Sequence, residues 1–289
     1  MTQPRDALSH AGSLAGNLPG LLLEAEKVAH SFMRGVHGRR RVGTGEAFWQ
    51  FRPYQPGDAR RDIDWRQTAK RDQAFVRQME WEAAQTVWMH RDASKSMDFK
   101  SAQGLFSKKE YAEILLLALG IVLLDGGEQV SLLGTDLAPQ TGTSSIQRIF
   151  ETLPAQTHLV ESGRFVAARS HALLISDFYF PVAQLASFCE SLAMRHVGGM
   201  LVQVFDPAEQ SLPYAGRIRF QDVEDMSAEP LLVPQVEAIR EEYGRRFAAH
   251  RKSLAGMAAG FGWKFEKFGT DTPLEEAIVR LYDDLSVKK

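Results

Sequence analysis

The feature that most constrains this chain is a change of rhythm near residue 74, where short apolar runs begin to alternate with longer stretches of helical periodicity. The runs are Ala74 to Met79, Thr86 to Met89, Val130 to Leu133, Ala172 to Ile175, Leu201 to Phe205, Ile218 to Phe220 and Trp263 to Phe268. Helical patterns lie between them, at about 107–124, 144–153, 181–196, 234–256 and 273–285. Ser107, followed three residues on by Glu110, reads as an N-terminal cap, and Gly126-Gly127 as the exit of the same helix. Strand, helix, strand is the repeating unit, so the expected fold class is α/β, a doubly wound, mostly parallel sheet with helices on both faces. Runs such as ALLI and LVQVF fit a central parallel strand, which is buried on both sides.

The first 80 residues have a different texture. Leu21, Leu22, Ala25, Val28, Ala29 and Phe32 form one stripe at helical spacing, which predicts an amphipathic helix over 18–34. Glycines and prolines then punctuate short extended pieces, and Gln55 to Asp58 reads as a turn. The expected organisation is an N-terminal helix with a basic loop and hairpin appendage over 1–80, followed by the α/β domain over 81–289. Charge follows a similar division. Between Arg34 and Arg77 there are 11 Lys and Arg against 5 Asp and Glu, which leaves 23 against 31 elsewhere. Arginines interleaved with Phe48, Trp49, Phe51, Tyr54 and Trp65 could describe a nucleic-acid surface. Asp58, Asp62 and Asp64 would repel phosphates there, and a pI near 6.5 is not that of a nucleic-acid-binding domain, so no nucleic acid is expected and binding through the basic segment 34–77 stands as an alternative.

The lone cysteine, Cys189, can form neither an intramolecular disulfide nor a CxxC metal site, which suits a reducing compartment. The longest apolar stretch, Ile114 to Leu124, has 11 residues, about half of what a spanning helix needs, and reads as a buried core helix. The first residues lack the basic start and apolar run of a secretory signal. A cytoplasmic chain without membrane attachment is expected.

In a doubly wound sheet the chemistry collects beyond the carboxyl ends of the strands. After TVWMHR come Asp92, Ser94 and Ser96 at spacing two, and after ALLIS comes Asp177. Side chains at i, i+2 and i+4 of an extended turn can converge. These are all hard oxygen donors, suited to Mg²⁺, Mn²⁺ or Ca²⁺ and unable to select zinc or copper. The same residues are also ordinary turn and cap residues. A cation held there could receive a partner's carboxylate, or could polarise a phosphate, which would make a metal-dependent phosphohydrolase. A covalent phosphotransferase of the haloacid dehalogenase kind wants a second acid two residues after its nucleophile, and Ser94 stands in that place. The eight histidines show no H-E-x-x-H spacing, and there is no P-loop, G-x-G-x-x-G helix start or G-x-S-x-G elbow.

The strings FRPYQPGDARRDIDWRQTAKR and WMHRDASKSM, with FDPAEQSLPYAGRIRFQDVED and the C-terminal YGRRFAAHRKSLAGMAAGFGWKFEKFGTDTPLEEAIVRL, resemble the family called domain of unknown function 58. Its members are similar to von Willebrand factor A domains, and the resemblance covers roughly residues 20–285. It implies a metal-ion-dependent adhesion site with Asp92, Ser94 and Ser96 as the first motif and Asp177 as the acidic third. The second motif would be a threonine on the intervening loop, with Thr143 preferred over Thr141. Mg²⁺ is the implied ion, with Mn²⁺ or Ca²⁺ as substitutes. The resemblance also implies a partner, a MoxR-type AAA+ ATPase, and a role in assembling or maturing other complexes. The expectation is therefore a non-enzymatic adaptor that binds a protein client through an exposed Asp or Glu. Within the appendage, Arg52, Tyr54, Asp58, Arg60, Asp64 and Trp65 are the candidates for a docking surface. The plainer alternative pairs Asp58 and Asp64 with local arginines and makes Trp65 a core anchor.

Overall fold

The computed structural model describes residues 20–35, 47–55, 58–59, 63–70, 73–80, 84–101, 105–156 and 166–286. Residues 20–35 form helix α1. Its stripe of Ala25, Val28, Ala29 and Phe32 is buried, and the Phe32 ring meets the edge of Tyr282 at 5.2 Å. The helix expected to go with the appendage therefore belongs instead to the α/β core, because its apolar stripe needs a partner surface and finds one there.

Val42–Ala84 is a compact unit of its own. In it, strand β1 (Ala47–Pro53) pairs antiparallel with β2 (Phe75–Glu80), and the short helix α2 (Trp65–Thr68) lies between them in sequence. The run that opened the alternating pattern is thus half of a hairpin and no part of the main sheet. Asp64 starts α2: its backbone carbonyl accepts the Thr68 N–H at 2.9 Å, and its carboxylate accepts the Arg66 N–H at 3.0 Å.

The larger unit, Met1–Arg41 with Gln85–Lys289, carries the repeating pattern. Its elements are β3 (Thr86–Arg91), α3 (Lys108–Asp125), β4 (Gln129–Leu132), α4 (Ile146–Thr152), β5 (His171–Ser176), α5 (Val182–Ala193) and β6 (Gly198–Phe205). After them come α6 (Pro207–Ser211), β7 (Ile218–Phe220), β8 (Leu231–Val233), α7 (Val236–Gly260), β9 (Lys264–Gly269) and α8 (Leu274–Ser286). Five strands form one sheet in the order β4-β3-β5-β6-β9, and every pairing in it is parallel. Numbered by appearance the order is 2-1-3-4-5, so the sheet is doubly wound and its direction of growth reverses between β3 and β5. β7 and β8 pair antiparallel as a separate two-stranded piece; of the two, the apolar-run pattern marks only β7.

Alternation along the strands sorts the core into two layers. Val87, Met89, Leu173, Ile175, Met200 and Val202 face α1, α3, α4 and α8, whereas Trp88, Ala172, Leu174 and Leu201 face α5 and α7. Tyr111 through Leu124 of α3 are buried on every side, as a helix without a polar face must be. The capping box at its start is present: the Ser107 hydroxyl accepts the Glu110 N–H at 3.1 Å and Glu110 accepts the Ser107 N–H at 2.8 Å. Gly199 is required on β6 because a Cβ there would enter the Trp263 ring. The β3–β4 ladder ends at Met89 and Leu132, and beyond it the buried Gln156 side chain takes over. Its amide N–H groups donate to Met89 O and Leu133 O, and its oxygen accepts the Arg91 N–H.

Candidate functional site at the switch point

The reversal between β3 and β5 places two acidic residues on neighbouring strand ends. The Asp92 N–H donates to Ile175 O at 2.9 Å, extending the ladder by one step, and Asp177 leaves β5 beside it. Asp92 is buried and both carboxylate oxygens are engaged: Oδ1 accepts the Ser94 N–H at 2.9 Å and Oδ2 accepts the Ser176 hydroxyl at 2.5 Å. Ser94 opens a single 3₁₀ turn, Lys95–Asp98, which the fully buried Met97 pins down. That turn brings the Ser94 and Ser96 hydroxyls to 3.1 Å of each other, both partly exposed. The Ser96 N–H donates to Glu224 Oε1 at 2.7 Å.

Asp177 is more deeply placed, with 1 % of its surface exposed. Its Oδ1 accepts the Tyr179 N–H at 3.1 Å, and its carbonyl accepts from the buried Gln203 amide at 3.1 Å. The next residue, Phe178, is held at a φ of 57°, a conformation that costs a residue with a Cβ about 1–2 kcal/mol. The Ser176 hydroxyl stabilises it by accepting the Phe178 N–H at 2.8 Å, so one serine ties Asp92 to the strained turn after Asp177.

The second oxygen of Asp177 is bonded to Lys108. The Lys108 Nζ lies 2.7 Å from Asp177 Oδ2 and 2.6 Å from Glu209 Oε1, with none of the lysine exposed. The Tyr179 ring covers the ammonium with its centroid at 4.8 Å. Glu209 is fixed in turn by a capping box on α6, where it accepts the Asp206 N–H at 2.8 Å. Burial holds the Glu209 carboxyl above its ordinary value, and the Lys108 ammonium offsets part of that rise. A second buried ion pair stands nearby: Arg91 meets Glu113 at 2.9 Å, and its guanidinium donates to Asp92 O at 3.5 Å.

Asp92, Ser94, Ser96 and Asp177 are thus brought to one edge, and Thr143 is not. After β4 the chain turns back, and Gln140 pairs antiparallel with Val130 near the start of that strand. Ile146 then reaches the side of α3 at Gly120, far along the helix from Lys108. Thr143, exposed in a 3₁₀ turn, therefore lies toward the amino ends of the strands.

Sequence reasoning missed Lys108, Glu209 and Ser176. A signal existed for the first two. A lysine in the first turn of an apolar helix opposes the helix dipole, which is reason to look for its partner, and D-P-A-E reads as a capping box.

The fit of a divalent ion can be tested on this geometry. Two ligands at adjacent corners of an octahedral Mg²⁺ shell with bonds of about 2.1 Å lie about 3.0 Å apart. The two serine hydroxyls match that spacing. Asp177 does not fit the role assigned to it, because its carboxylate faces a buried ammonium that a divalent ion would repel. The five proposed ligands therefore do not form a set as they stand.

In the Val42–Ala84 unit, Arg52 and Asp58 form a bidentate pair at 2.7 and 2.6 Å, and Asp58 also accepts the Gln55 N–H. Arg52 and that backbone bond hold the Asp58 carboxyl down at about 2. Trp65 is exposed over 67 % of its surface and Tyr54 over 36 %, so Trp65 is not the core anchor that the plainer alternative makes it. Asp64 is buried at the start of α2. Arg60 lies outside the described residues, as do Pro56 and Gly57 of the expected turn.

Fold and site define a doubly wound parallel α/β protein with a cluster of ion-paired and hydrogen-bonded polar residues at its switch point. The chain belongs to the family described as Protein of unknown function DUF58, whose model matches residues 50–253. The uncharacterized proteins Mb1516 of Mycobacterium bovis and Rv1480 of Mycobacterium tuberculosis are 28% identical to it over 285 residues, covering 92% of this chain and 88% of theirs. Among solved structures, an aerotolerance-related membrane protein from Bacteroides fragilis aligns with 71% of this chain and 100% of its own, with a TM-score of 0.44 and 15% identity. The conserved hypothetical protein BatB from Bacteroides thetaiotaomicron aligns over the same shares, with a TM-score of 0.43 and 13% identity. Among the described residues of this chain, no helix is long and apolar enough to cross a membrane.

Proposed function

We propose that this chain is a cytoplasmic, non-enzymatic adaptor of the von Willebrand factor A-like type, which receives a partner's carboxylate at the Ser94–Ser96 turn and acts with a MoxR-type AAA+ ATPase. The observation that carries this reading is the bond from the Ser96 N–H to Glu224 Oε1. The turn already receives a carboxylate, from an exposed residue of the chain itself. A client Asp or Glu would take the place of Glu224, with the two serine hydroxyls available as further donors. Family membership and the resemblance to ATPase-associated proteins support the choice of partner. The exposed Trp65 and Tyr54 supply a second contact of the aromatic kind that dominates interfaces.

The test is capture of a MoxR-type ATPase from the same genome by the tagged full-length chain, in magnesium and in chelator. Ser96→Pro, which removes the N–H, should weaken capture, and Glu224→Ala, which vacates the turn, should strengthen it. Trp65→Ala should cost about 2 kcal/mol of binding, roughly thirtyfold, without changing the melting temperature. An ATPase that the wild-type chain fails to capture in either condition defeats the proposal.

A further inference from the structure

We infer that Lys108 is a built-in cation at the switch point, supplying to Asp177 the positive charge that a bound divalent ion would otherwise supply, so that this edge is assembled without metal. The inference starts from the count of donors and acceptors around the ammonium. Lys108 has three N–H donors and no acceptor. Two of its directions are taken by Asp177 and Glu209, and the face of the Tyr179 ring closes another side. Each carboxylate gives its other oxygen to a backbone N–H, from Tyr179 and from Asp206 respectively. The arrangement is complete in the sense that matters for a buried charge: both acids are paired, and the cation is paired twice.

Position reinforces the count. Lys108 is the first residue of α3 and lies inside the Ser107–Glu110 capping box, which fixes its main chain. From Tyr111 onward the helix behind it is buried on every side, and the lysine side chain itself has no exposure. A cation in this turn is disfavoured by the helix dipole, and the two carboxylates provide the compensation. Asp92 is satisfied separately, by Ser94 and Ser176. What remains for a metal is the hydroxyl pair with Asp92, each of whose oxygens already accepts one bond, and the exposed Glu224 at the Ser96 N–H, a set from which Asp177 is withdrawn by Lys108.

The experiment uses the full-length wild-type chain, stripped with chelator and titrated with Mn²⁺ while free ion is followed by electron paramagnetic resonance. The expected result is no saturable site in the submillimolar range, together with equal melting temperatures in chelator and in Mg²⁺. A one-to-one isotherm that disappears in Asp177→Asn would overturn the inference. Lys108→Met should melt well below wild type, and a Lys108→Met chain as stable as wild type would overturn it also. Should that variant fail to fold, the wild-type titration still decides. The inference concerns the same edge as the proposed function but fails separately from it. Capture that is lost in chelator and restored by Mg²⁺ removes metal independence and leaves the adaptor reading standing. Absence of capture in both conditions removes the adaptor reading and leaves the titration to judge Lys108.

Discussion

Individual charges at this edge and in the hairpin unit make opposite kinds of contribution. Lys108 sits between two carboxylates without exposure, so truncating it strands the buried Asp177 and the part-buried Glu209. Breaking such a group from one side costs about 3–5 kcal/mol, and Lys108→Met should lower stability by that amount in a denaturant melt. Adding Asp177→Asn and Glu209→Gln to it should recover part of the loss, since the three residues act as one network. Asp58 differs because it is only partly buried and its partner Arg52 is partly exposed. Its folded pKa of about 2 lies below the ordinary 3.8, so the Arg52–Asp58 pair contributes stability above the ordinary value and loses it as pH falls through about 2. A carboxyl NMR titration should place the Asp58 midpoint near 2 in the wild-type chain and move it back toward 3.8 in Arg52→Gln. Asp92, Ser94, Ser96 and Asp177 could be picked out in the sequence because their position after apolar runs carries meaning. Lys108 and Glu209 could not be joined to them that way, because the contact spans 69 residues in one case and 101 in the other.

At the scale of single elements, local chemistry and packing are both visible. The Ser107–Glu110 box was readable from its spacing, and Ser107→Ala should cost about 1 kcal/mol in a thermal melt. Gly199 could not be understood without the fold. Only the register of β6 beside β9 shows that Trp263 lies over it, and Gly199→Ala should destabilise by about 1–3 kcal/mol through overpacking. Strands β3, β4, β5 and β6 announce themselves as apolar runs because nearly all their residues are buried, whereas the edge strand β9 is only partly so. β8 does not: Leu231 and Leu232 are exposed, and a three-residue strand leaves too little pattern to recognise. Thr143 was placed by motif order alone, and the fold-back of residues 133–140 along β4 is what carries it elsewhere.

Over the whole molecule, the alternation of runs and helices was enough to reach a doubly wound sheet. The partition of the first 80 residues was harder to read. Sequence adjacency joined α1 to the hairpin, whereas the apolar stripe of α1 is spent on the α3 and α8 side of the larger unit. The same reasoning about what closes a surface applies to Gln156. It completes hydrogen bonds for β3 and β4 where their own ladder has stopped, acting as a loose peptide group lent by the turn after α4. The end of β3 can therefore be fully knit only after a segment 65 residues away has docked. Loosening the 153–156 turn should consequently unzip the sheet from the very end that carries Asp92, making a remote, inconspicuous glutamine a latch on the partly exposed serines.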